Sequence, residues 1–509
     1  MQMLGHNKLC AVAAASTAEG LYRQLRRAAR QTSVIELRLD WLANDREIDR
    51  FLAKVKARHA DVTLIATLRR RQAGGRYRGS IAKQLFYLAE AIRAGCRWYD
   101  LEIETVRQCP SELIEALLGE GRQLRSAHFF RRMPRGLGRI ARKLKRGDPD
   151  AIKIAARCDS LADAWRLECF ARKQKNLVAI PMGDVALPAR ILALRAQSGF
   201  AYAPVENATA PGQTSLDELR SLYRADHINS QTRVYGVVGD PIAHSLSPAM
   251  QNAGFIARRM NAIYLPFHVE DLKDFIDSIP RFGIRGFSVT LPHKRSILNY
   301  LNGCDRLAAK IAAVNTVVVR GAGGLYGYNT DYVGVLRTLQ SRMPLPGSRV
   351  LIIGAGGAAR AVAFALARAG SAICVSARRS EQATRLAKAV DGEAIARPRL
   401  RHEFFDAIVN ATPVGMFPAV GESPLEAREL NCRLVFDTIY RPRVTRLLEL
   451  AARRGVETVS GVEMFLAQGT AQWEIWTGER APVEVMRRAV LAALLREETS
   501  ARGRTRGVQ

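Results

Sequence analysis

The chain has few of the features that mark exported, membrane-bound or metal-binding proteins. It contains no run of about 18 uncharged apolar residues, so we expect no association with a membrane. The beginning, MQMLGHNKLC, lacks the basic segment, apolar stretch and cleavage site of an export signal, which predicts a cytoplasmic protein. The eight cysteines are scattered without a C-x-x-C pair, so we expect neither disulfides nor a bound metal.

Acidic residues are scarce relative to basic ones. The chain has 48 Asp and Glu against 77 Lys and Arg, a formal net charge of +29, which attracts anions such as phosphorylated cofactors, carboxylate substrates and nucleic acid. The arginine-rich stretches at 131–147 and 501–507 contain no interleaved aromatic residues. We therefore interpret them as a solvated surface helix and a basic disordered tail at 501–509, and we expect no nucleic-acid partner.

The first 225 residues repeat one unit, a short apolar run followed by an amphipathic helical stretch. The eight runs are LCAVAAA, VIELRLD, VTLIATL, WYDLEI, QLRSAHFF, AIKIAAR, LVAIPMG and FAYAPV. This alternation predicts a parallel sheet closed into a (β/α)₈ TIM barrel, in which chemistry takes place at the carboxyl ends of the strands. The polar residues at those ends are Glu36, Arg38, Asp40, Arg69, Asp100, Glu102, His128, Lys153 and Arg190.

The polar segment RADHINSQTR at 224–233 interrupts this rhythm and marks a domain boundary. Beyond it, residues 348–380 have the pattern of a strand, a glycine turn, a helix and a second strand. We predict an α/β chain made of a barrel at 1–228, a substrate-binding lobe at 229–336 completed by 470–500, and a Rossmann nucleotide-binding lobe at 337–469.

The glycine turn of the second half forms the pattern G-x-G-x-x-A, from Gly354 through Gly356 to Ala359. The first glycine permits a tight turn, the second lets a pyrophosphate approach the backbone, and the helix start supplies N–H donors. The predicted contacts to the cofactor are Gly354, Ala355, Gly356, Gly357 and Ala358.

The nucleotide type is read at the end of the next strand, where NAD enzymes usually carry an acidic residue for the ribose hydroxyls. Here the residues are Ala377, Arg378 and Arg379. Two guanidinium groups suit a 2′-phosphate in charge and geometry, so we expect NADP(H) as the cofactor.

The motifs of the second half resemble the shikimate dehydrogenase family, in the same order along the chain. They are YGVVGDPIAHSLSP, GFSVTLPHK, AAVNT, GYNTD, NATPVGM, DTIYRPRVTRLL and GVEMFLAQG. The resemblance implies that Lys294 and Asp331 form the catalytic pair and that Ser245 and Ser247 bind the substrate carboxylate. It further implies substrate contacts from Thr290, Asn315 and Gln468 and cofactor contacts from Thr412 and Gly461, while Ser288 stands where the family usually has asparagine.

The first half resembles type I 3-dehydroquinate dehydratase through ELRLD, SAH, IKI and ATAPGQ. The resemblance implies that Lys153 forms an imine with the ring ketone and that His128 moves the proton of the neighbouring carbon. It implies that Arg190 binds the substrate carboxylate. The remaining implied pocket residues are Glu36, Arg38, Arg69, Thr209 and Gln213.

Two departures in this half bear on its turnover. Ala73 stands where the family has a glutamate that orients the histidine, and Phe129 follows His128 where an aspartate is usual. A histidine without a carboxylate partner loses its fixed tautomer and orientation, so we expect a turnover that is present but slow.

Together the two resemblances predict a bifunctional enzyme of the shikimate pathway that acts on 3-dehydroquinate and 3-dehydroshikimate, since one half makes what the other consumes. Two alternatives stay open. One is a monofunctional shikimate or quinate dehydrogenase with an impaired barrel, and the other is a DNA-binding regulator that senses pathway intermediates. The sequence defines no oligomeric state.

Overall fold

The structure is a computed structural model that describes residues 8–55, 61–195, 201–206, 213–242, 245–417 and 419–506. The chain divides into two compact units: one comprises residues up to 233 together with 265–283, and the other comprises 234–264 together with the residues from 284 onward. In the described part of the chain, no helix is long and apolar enough to cross a membrane.

The first unit contains the predicted barrel, and each of the eight apolar runs forms a strand. The strands are β1 (Leu9–Ala13), β2 (Val34–Arg38), β3 (Thr63–Thr67), β4 (Trp98–Glu102), β5 (Arg122–Phe129), β6 (Ala151–Arg157), β7 (Leu177–Met182) and β8 (Ala201–Pro204). They pair in parallel in the order β7-β6-β5-β4-β3-β2-β1-β8, and within the described residues no ladder joins β7 to β8. The prediction of a (β/α)₈ barrel is confirmed, as a nearly closed sheet.

Helices follow the strands and cover the outside of the barrel. They are α1 (Ala18–Ala29), α2 (Asp45–Val55), α3 (Ile81–Arg93), α4 (Ile103–Val106), α5 (Ser111–Leu118), α6 (Leu137–Leu144), α7 (Leu161–Arg172), α8 (Leu187–Leu192) and α9 (Leu216–Ser221). Ser80 and Ser160 accept hydrogen bonds from backbone N–H groups of the first turns of α3 and α7, which fixes where those helices begin.

The barrel interior is layered, because every second residue of a strand faces inward. An apolar layer contains one side chain from each of seven strands: Cys10, Val34, Ile65, Trp98, Leu124, Ala151 and Val178. Two residues further along β2, β4, β5 and β6 the inward side chains are polar: Glu36, Asp100, Ser126 and Lys153. The strand period therefore places a polar layer directly above an apolar floor.

Two further six-stranded sheets follow the barrel along the chain. The first consists of β9 (Arg233–Gly239), β10 (Ala262–His268), β11 (Ile284–Val289), β12 (Gly303–Cys304), β13 (Thr316–Val319) and β14 (Leu325–Tyr328), in the order β10-β9-β11-β13-β14-β12. β9 and β11 are parallel, whereas β13 is antiparallel to both β11 and β14.

The second sheet is parallel throughout. Its strands are β15 (Arg349–Ile353), β16 (Ala372–Ser376), β17 (Glu393–Ala394), β18 (Phe405–Asn410), β19 (Cys432–Asp437) and β20 (Glu457–Val459), in the order β17-β16-β15-β18-β19-β20. This is the 3-2-1-4-5-6 order of a dinucleotide-binding fold, so the predicted Rossmann lobe is confirmed.

Helices join the strands of both sheets. They are α10 (Ser247–Ala257), α11 (Leu272–Phe282), α12 (Arg306–Ile311), α13 (Asp331–Gln340), α14 (Gly357–Arg368), α15 (Ser380–Lys388), α16 (Arg446–Arg453), α17 (Gly461–Thr477) and α18 (Val483–Arg506). Residues of α17 and α18 pack with those of β9 and α10 in one apolar cluster, which includes Tyr235, Phe255, Trp473 and Met486. Residues near the end of the chain thus pack against the sheet that contains β9. Helix α18 continues to Arg506, so the prediction of a disordered tail is wrong for residues 501–506.

Two candidate active sites

Lys153 lies in the polar layer of the barrel and is only 3% exposed. Its Nζ is in close contact with Asp100 Oδ2 and lies 3.4 Å from Glu36 Oε1 and 4.9 Å from the centre of the Tyr202 ring. A buried ammonium group is tolerated only when it is paired, and here two carboxylates supply the pairing. This arrangement places a primary amine inside a pocket.

Asp100 connects the lysine to the neighbouring groups of the site. Arg69 Nη2 donates to Asp100 Oδ2 over 3.0 Å, and the Ser126 hydroxyl donates to Asp100 Oδ1. Burial alone would raise the pKa of Asp100, but the charges of Lys153 and Arg69 hold that pKa well below its usual range. Sequence analysis noted Asp100 among the strand residues but gave it no role. Its position two residues after Trp98 could have shown that its side chain also faces the barrel interior.

Glu36 and Arg38 both occupy the carboxyl end of β2, as predicted. The Thr67 hydroxyl donates to Glu36 Oε1 over 2.8 Å. Arg38 makes a bidentate pair with Asp40, over 2.9 and 2.8 Å, which fixes the guanidinium plane.

His128 lies on β5 within the same site. In the part of the chain that the structure describes, its buried Nδ1 has no hydrogen-bond partner. The ring stacks on Phe130 with 5.9 Å between centroids, and burial together with the charges of Arg69 and Lys153 lowers the pKa of His128 well below its usual value. Burial and these positive charges therefore favour the uncharged imidazole, and its ring packs on Phe130.

The loop after β3 contributes to that packing. Ala73 ends a short 3-10 helix, Arg71–Ala73, and is buried. A Cβ added to the next residue, Gly74, would lie 2.3 Å from the Phe130 ring. This loop thus contacts the ring that stacks on His128.

Arg190 lies on α8 and contacts the end of β7. Its Nη1 donates to the carbonyls of Pro181 and Gly183 over 2.9 and 3.2 Å, and burial lowers its pKa to about 10. Thr209 lies outside the described residues. The other predicted residues line one cavity: Glu36, Arg38, Arg69, His128, Lys153, Arg190 and Gln213.

The second site is built around Lys294 and Asp331. Lys294 Nζ lies 2.6 Å from Asp331 Oδ2, and the Asn315 amide donates to Asp331 Oδ1 over 2.8 Å. The Thr330 N–H donates to Asn315 Oδ1 over 2.7 Å, which fixes the orientation of that amide. The loop after β11 and the starts of β13 and α13 thus bring together three of the predicted residues.

Ser245 and Ser247 lie at the start of α10, where the Ser247 N–H lies 3.3 Å from Ser245 Oγ. A helix start attracts anions, because its first N–H groups lack intrahelical acceptors. Thr290 follows β11, and its methyl group packs closely on Gly239. Gln468 lies on α17, and its amide donates to Phe465 O of the same helix over 2.9 Å.

The nucleotide turn has the geometry that the glycine pattern predicts. Gly354 has φ +112°, and a Cβ there would lie 3.0 Å from the Thr412 methyl group. A Cβ on Gly356 or Gly357 would meet no heavy atom within 4 Å, and no side chain among the described residues caps α14. The start of α14 therefore has open space beside Gly356 and Gly357, and its first N–H groups lack intrahelical acceptors.

The other predicted cofactor contacts lie near this turn or at the ends of neighbouring strands. Ala355 and Ala358 flank the two open glycines, and Ala377 follows β16 directly. Arg378 and Arg379 are exposed beside it. Gly461, at the start of α17, is packed against the backbone after β19, where an added Cβ would lie 2.4 Å from Thr438 O.

Three known families match separate stretches of the chain. The family described as type I 3-dehydroquinase matches residues 9–230, and the shikimate dehydrogenase substrate binding domain matches 237–317. The shikimate 5′-dehydrogenase C-terminal domain matches 461–491.

Individual relatives are similar to the whole chain or to its second half. The bifunctional 3-dehydroquinate dehydratase/shikimate dehydrogenase of Arabidopsis thaliana, described as chloroplastic, is 31% identical over 476 residues, covering 89% of this chain and 79% of that protein. The NADP(+) shikimate dehydrogenase of Moorella thermoacetica is 43% identical over 282 residues, covering 52% of this chain and 95% of that protein. That of Methanopyrus kandleri is 43% identical over 287 residues, covering 52% and 98%.

Proposed function

We propose that the chain catalyses two consecutive reactions, because it belongs to the family of bifunctional 3-dehydroquinate dehydratases/shikimate dehydrogenases. The barrel dehydrates 3-dehydroquinate to 3-dehydroshikimate, and the second unit reduces 3-dehydroshikimate to shikimate with NADPH. The observation that carries the proposal is that each unit pairs one lysine with one aspartate among buried polar side chains, Lys153 with Asp100 and Lys294 with Asp331. A cytoplasmic location is part of the same proposal.

In the barrel, Lys153 supplies the nucleophile. Its amine, once deprotonated, adds to the ring ketone and forms an imine with loss of water. The protonated imine withdraws electrons from the neighbouring C–H bond, and the neutral His128 removes that proton as a base. The adjacent hydroxyl leaves with a proton as water, and hydrolysis of the imine releases 3-dehydroshikimate and restores Lys153.

The other groups of the barrel site have supporting roles in this proposal. Asp100 and Glu36 hold the lysine side chain in place through its charge before it reacts. Arg190 and Gln213 line the same cavity and supply donors for the substrate carboxylate and a hydroxyl. The unpartnered Nδ1 of His128 supports the expectation of slow turnover.

In the second unit, Lys294 donates a proton to the ketone oxygen, on which negative charge develops during reduction. Asp331 orients the lysine and accepts a hydrogen bond from a substrate hydroxyl. The Asn315 amide holds the other oxygen of Asp331. Ser245 and Ser247 bind the substrate carboxylate with their hydroxyls, next to the start of α10.

NADPH supplies the hydride when bound. The turn from Gly354 to Gly357 and the start of α14 would hold its pyrophosphate, and Arg378 and Arg379 would pair with the 2′-phosphate. Thr412 packs against the turn through its methyl group and would border the bound cofactor.

The test is a kinetic assay of the purified full chain with NADPH, following absorbance at 340 nm. We expect NADPH oxidation with 3-dehydroshikimate and, more slowly, with 3-dehydroquinate. Lys153→Ala should abolish only the reaction of 3-dehydroquinate, whereas Lys143→Ala, at an exposed site on α6, should leave both reactions unchanged.

Borohydride trapping provides the second readout for the barrel. Reduction in the presence of 3-dehydroquinate should attach a substrate-derived mass to the peptide that contains Lys153, and the Lys153→Ala chain should stay unlabelled. Oxidation of NADPH with 3-dehydroshikimate alone, together with no trapped adduct, would mean that the barrel is inactive. No oxidation with either substrate would refute the proposed reduction, and the absence of a trapped adduct as well would refute the proposal for both halves.

A further inference from the structure

Behind the second site, four buried polar side chains form a continuous chain of hydrogen bonds. We call this chain the relay; it consists of Tyr264 on β10, Ser288 on β11, Thr316 on β13 and Gln472 on α17, all of which are buried. Tyr264 OH lies 2.6 Å from Ser288 Oγ, which lies 2.7 Å from Gln472 Oε1. Gln472 Nε2 donates to Asn315 O over 3.2 Å and to Thr316 Oγ1 over 3.1 Å.

The direction of every hydrogen bond in the relay is determined by one acceptor. The Asn315 carbonyl can only accept, so the NH₂ group of Gln472 must face it and the Gln472 oxygen must face Ser288. Ser288 then donates its single proton to Gln472 and accepts from Tyr264, whose hydroxyl also interacts with the Ser247 side chain. From Tyr264 onward, all donors therefore point toward Asn315.

The relay adjoins two residues of the proposed substrate site, Ser247 at the Tyr264 end and Asn315 at the Gln472 end. Ser247 is one of the two serines proposed to bind the substrate carboxylate. At the other end, Thr316 Oγ1 donates to Asn315 Oδ1 over 2.8 Å, and the Asn315 amide donates to Asp331 over 2.8 Å. The side chains that would hold opposite ends of one small ring acid are thus connected through buried bonds rather than through solvent.

We propose that Gln472 is a positioning residue of the dehydrogenase, which acts through Ser288 and Tyr264 on Ser247 and directly on Asn315. This role rests on the proposed reduction of 3-dehydroshikimate. Gln472 contacts no reacting atom; it sets the distance between the carboxylate end and the hydroxyl end of the site. Replacing it with an apolar residue leaves the buried Ser288 hydroxyl without its acceptor. It also removes the side-chain donor to the Asn315 carbonyl, which keeps only the backbone bond from Val289, so both ends of the site lose a constraint.

The primary test is steady-state kinetics of the full chain with 3-dehydroshikimate and NADPH. For Gln472→Leu we expect KM for 3-dehydroshikimate to rise about 10-fold or more, with a smaller change in kcat and none in KM for NADPH. The matched control is Thr470→Val on the same helix, an equally buried residue whose hydroxyl donates within α17 to Ala467 O. We expect wild-type kinetics for this control.

Gln472→Glu adds a pH readout that loss of packing would not produce. A protonated glutamic acid offers one acceptor to Ser288 and one donor to Asn315 O, like the amide, whereas the carboxylate has no donor for that carbonyl. We expect KM, relative to wild type, to be near normal at low pH and to rise as the pH increases. A pH-independent ratio would overturn the proposal, even if Gln472→Leu fails to fold.

A double-mutant cycle with Ser247→Ala tests whether the relay transmits the effect. If Gln472 acts through Ser247, the two substitutions should be less than additive in kcat/KM, whereas additive effects or an unchanged KM in Gln472→Leu would overturn the role. A wild-type chain that does not reduce 3-dehydroshikimate would refute the proposed function and this role together. An active wild type with an unresponsive Gln472 would refute only the role.

Discussion

Glu168 gives the barrel a dependence of stability on pH that can be worked out from its surroundings. The residue lies on α7, is 6% exposed and, within the described residues, its Oε1 has no hydrogen-bond partner. Burial raises its pKa to about 8, with only a small opposing effect from Arg172. Near neutral pH the carboxyl group in the folded barrel is therefore mostly protonated.

The direction of the effect follows from proton linkage. Below its ordinary pKa of 4.5, Glu168 is protonated in both folded and unfolded chains and contributes no pH dependence. Between that value and about 8 the unfolded chain has lost a proton that the folded chain keeps, so the free energy of unfolding falls as the pH rises. The slope is about 1.4 kcal/mol per pH unit, which amounts to roughly 4 kcal/mol between pH 5 and pH 8.

The perturbation that exposes this contribution is Glu168→Gln, because the amide has nearly the same shape and does not titrate. We expect the variant and the wild type to have similar stability at pH 5 and the variant to be more stable by several kcal/mol at pH 8. Amide hydrogen exchange of peptides from β6 and β7, corrected for the intrinsic effect of pH, isolates the barrel from the second unit. Glu112→Gln, at an exposed site on α5, is the matched control. An identical pH slope in wild type and Glu168→Gln would refute the reasoning.

Three further predictions concern the two proposed reactions. Ala73→Glu should raise the rate of dehydration about 10-fold by giving His128 a carboxylate partner, which an unchanged rate in the coupled assay would contradict. Asp331→Asn should lower kcat for reduction of 3-dehydroshikimate about 100-fold and leave borohydride trapping in the barrel intact. Replacing Arg378 and Arg379 with glutamine should raise KM for NADPH about 10-fold or more and leave KM for NADH nearly unchanged. Equal effects on both cofactors would contradict recognition of the 2′-phosphate.

Much of the fold could be predicted because it is encoded by local patterns. Each of the eight apolar runs is short and is followed by an amphipathic stretch, and the structure contains a strand at each of them. The glycine turn at Gly354 could be predicted for the same reason, since a φ of +112° suits only glycine at that point.

The sequence singles out Lys153, Lys294 and Asp331 as candidate site residues because each lies in an apolar strand run or a motif. The hydrogen-bond and ion-pair partners of these side chains could not be predicted from the sequence. The sequence places Asp100 in a strand, but its contact with Lys153 depends on how β4 and β6 are arranged around the barrel. The unpartnered Nδ1 of His128 likewise depends on which loops reach β5.

The sequence by itself determined the strand and helix order, the two units of chemistry and the lysines around which they are built, because these follow from periodicity and from residue types a few positions apart. Only the tertiary structure decided which charges share a buried space. The relay illustrates the reason: Ser288 and Gln472 are 184 positions apart and meet because α17 returns to the sheet that contains β11 and β13. Hydrogen-bond partners in a core depend on which distant segments pack together, and no local sequence pattern indicates them.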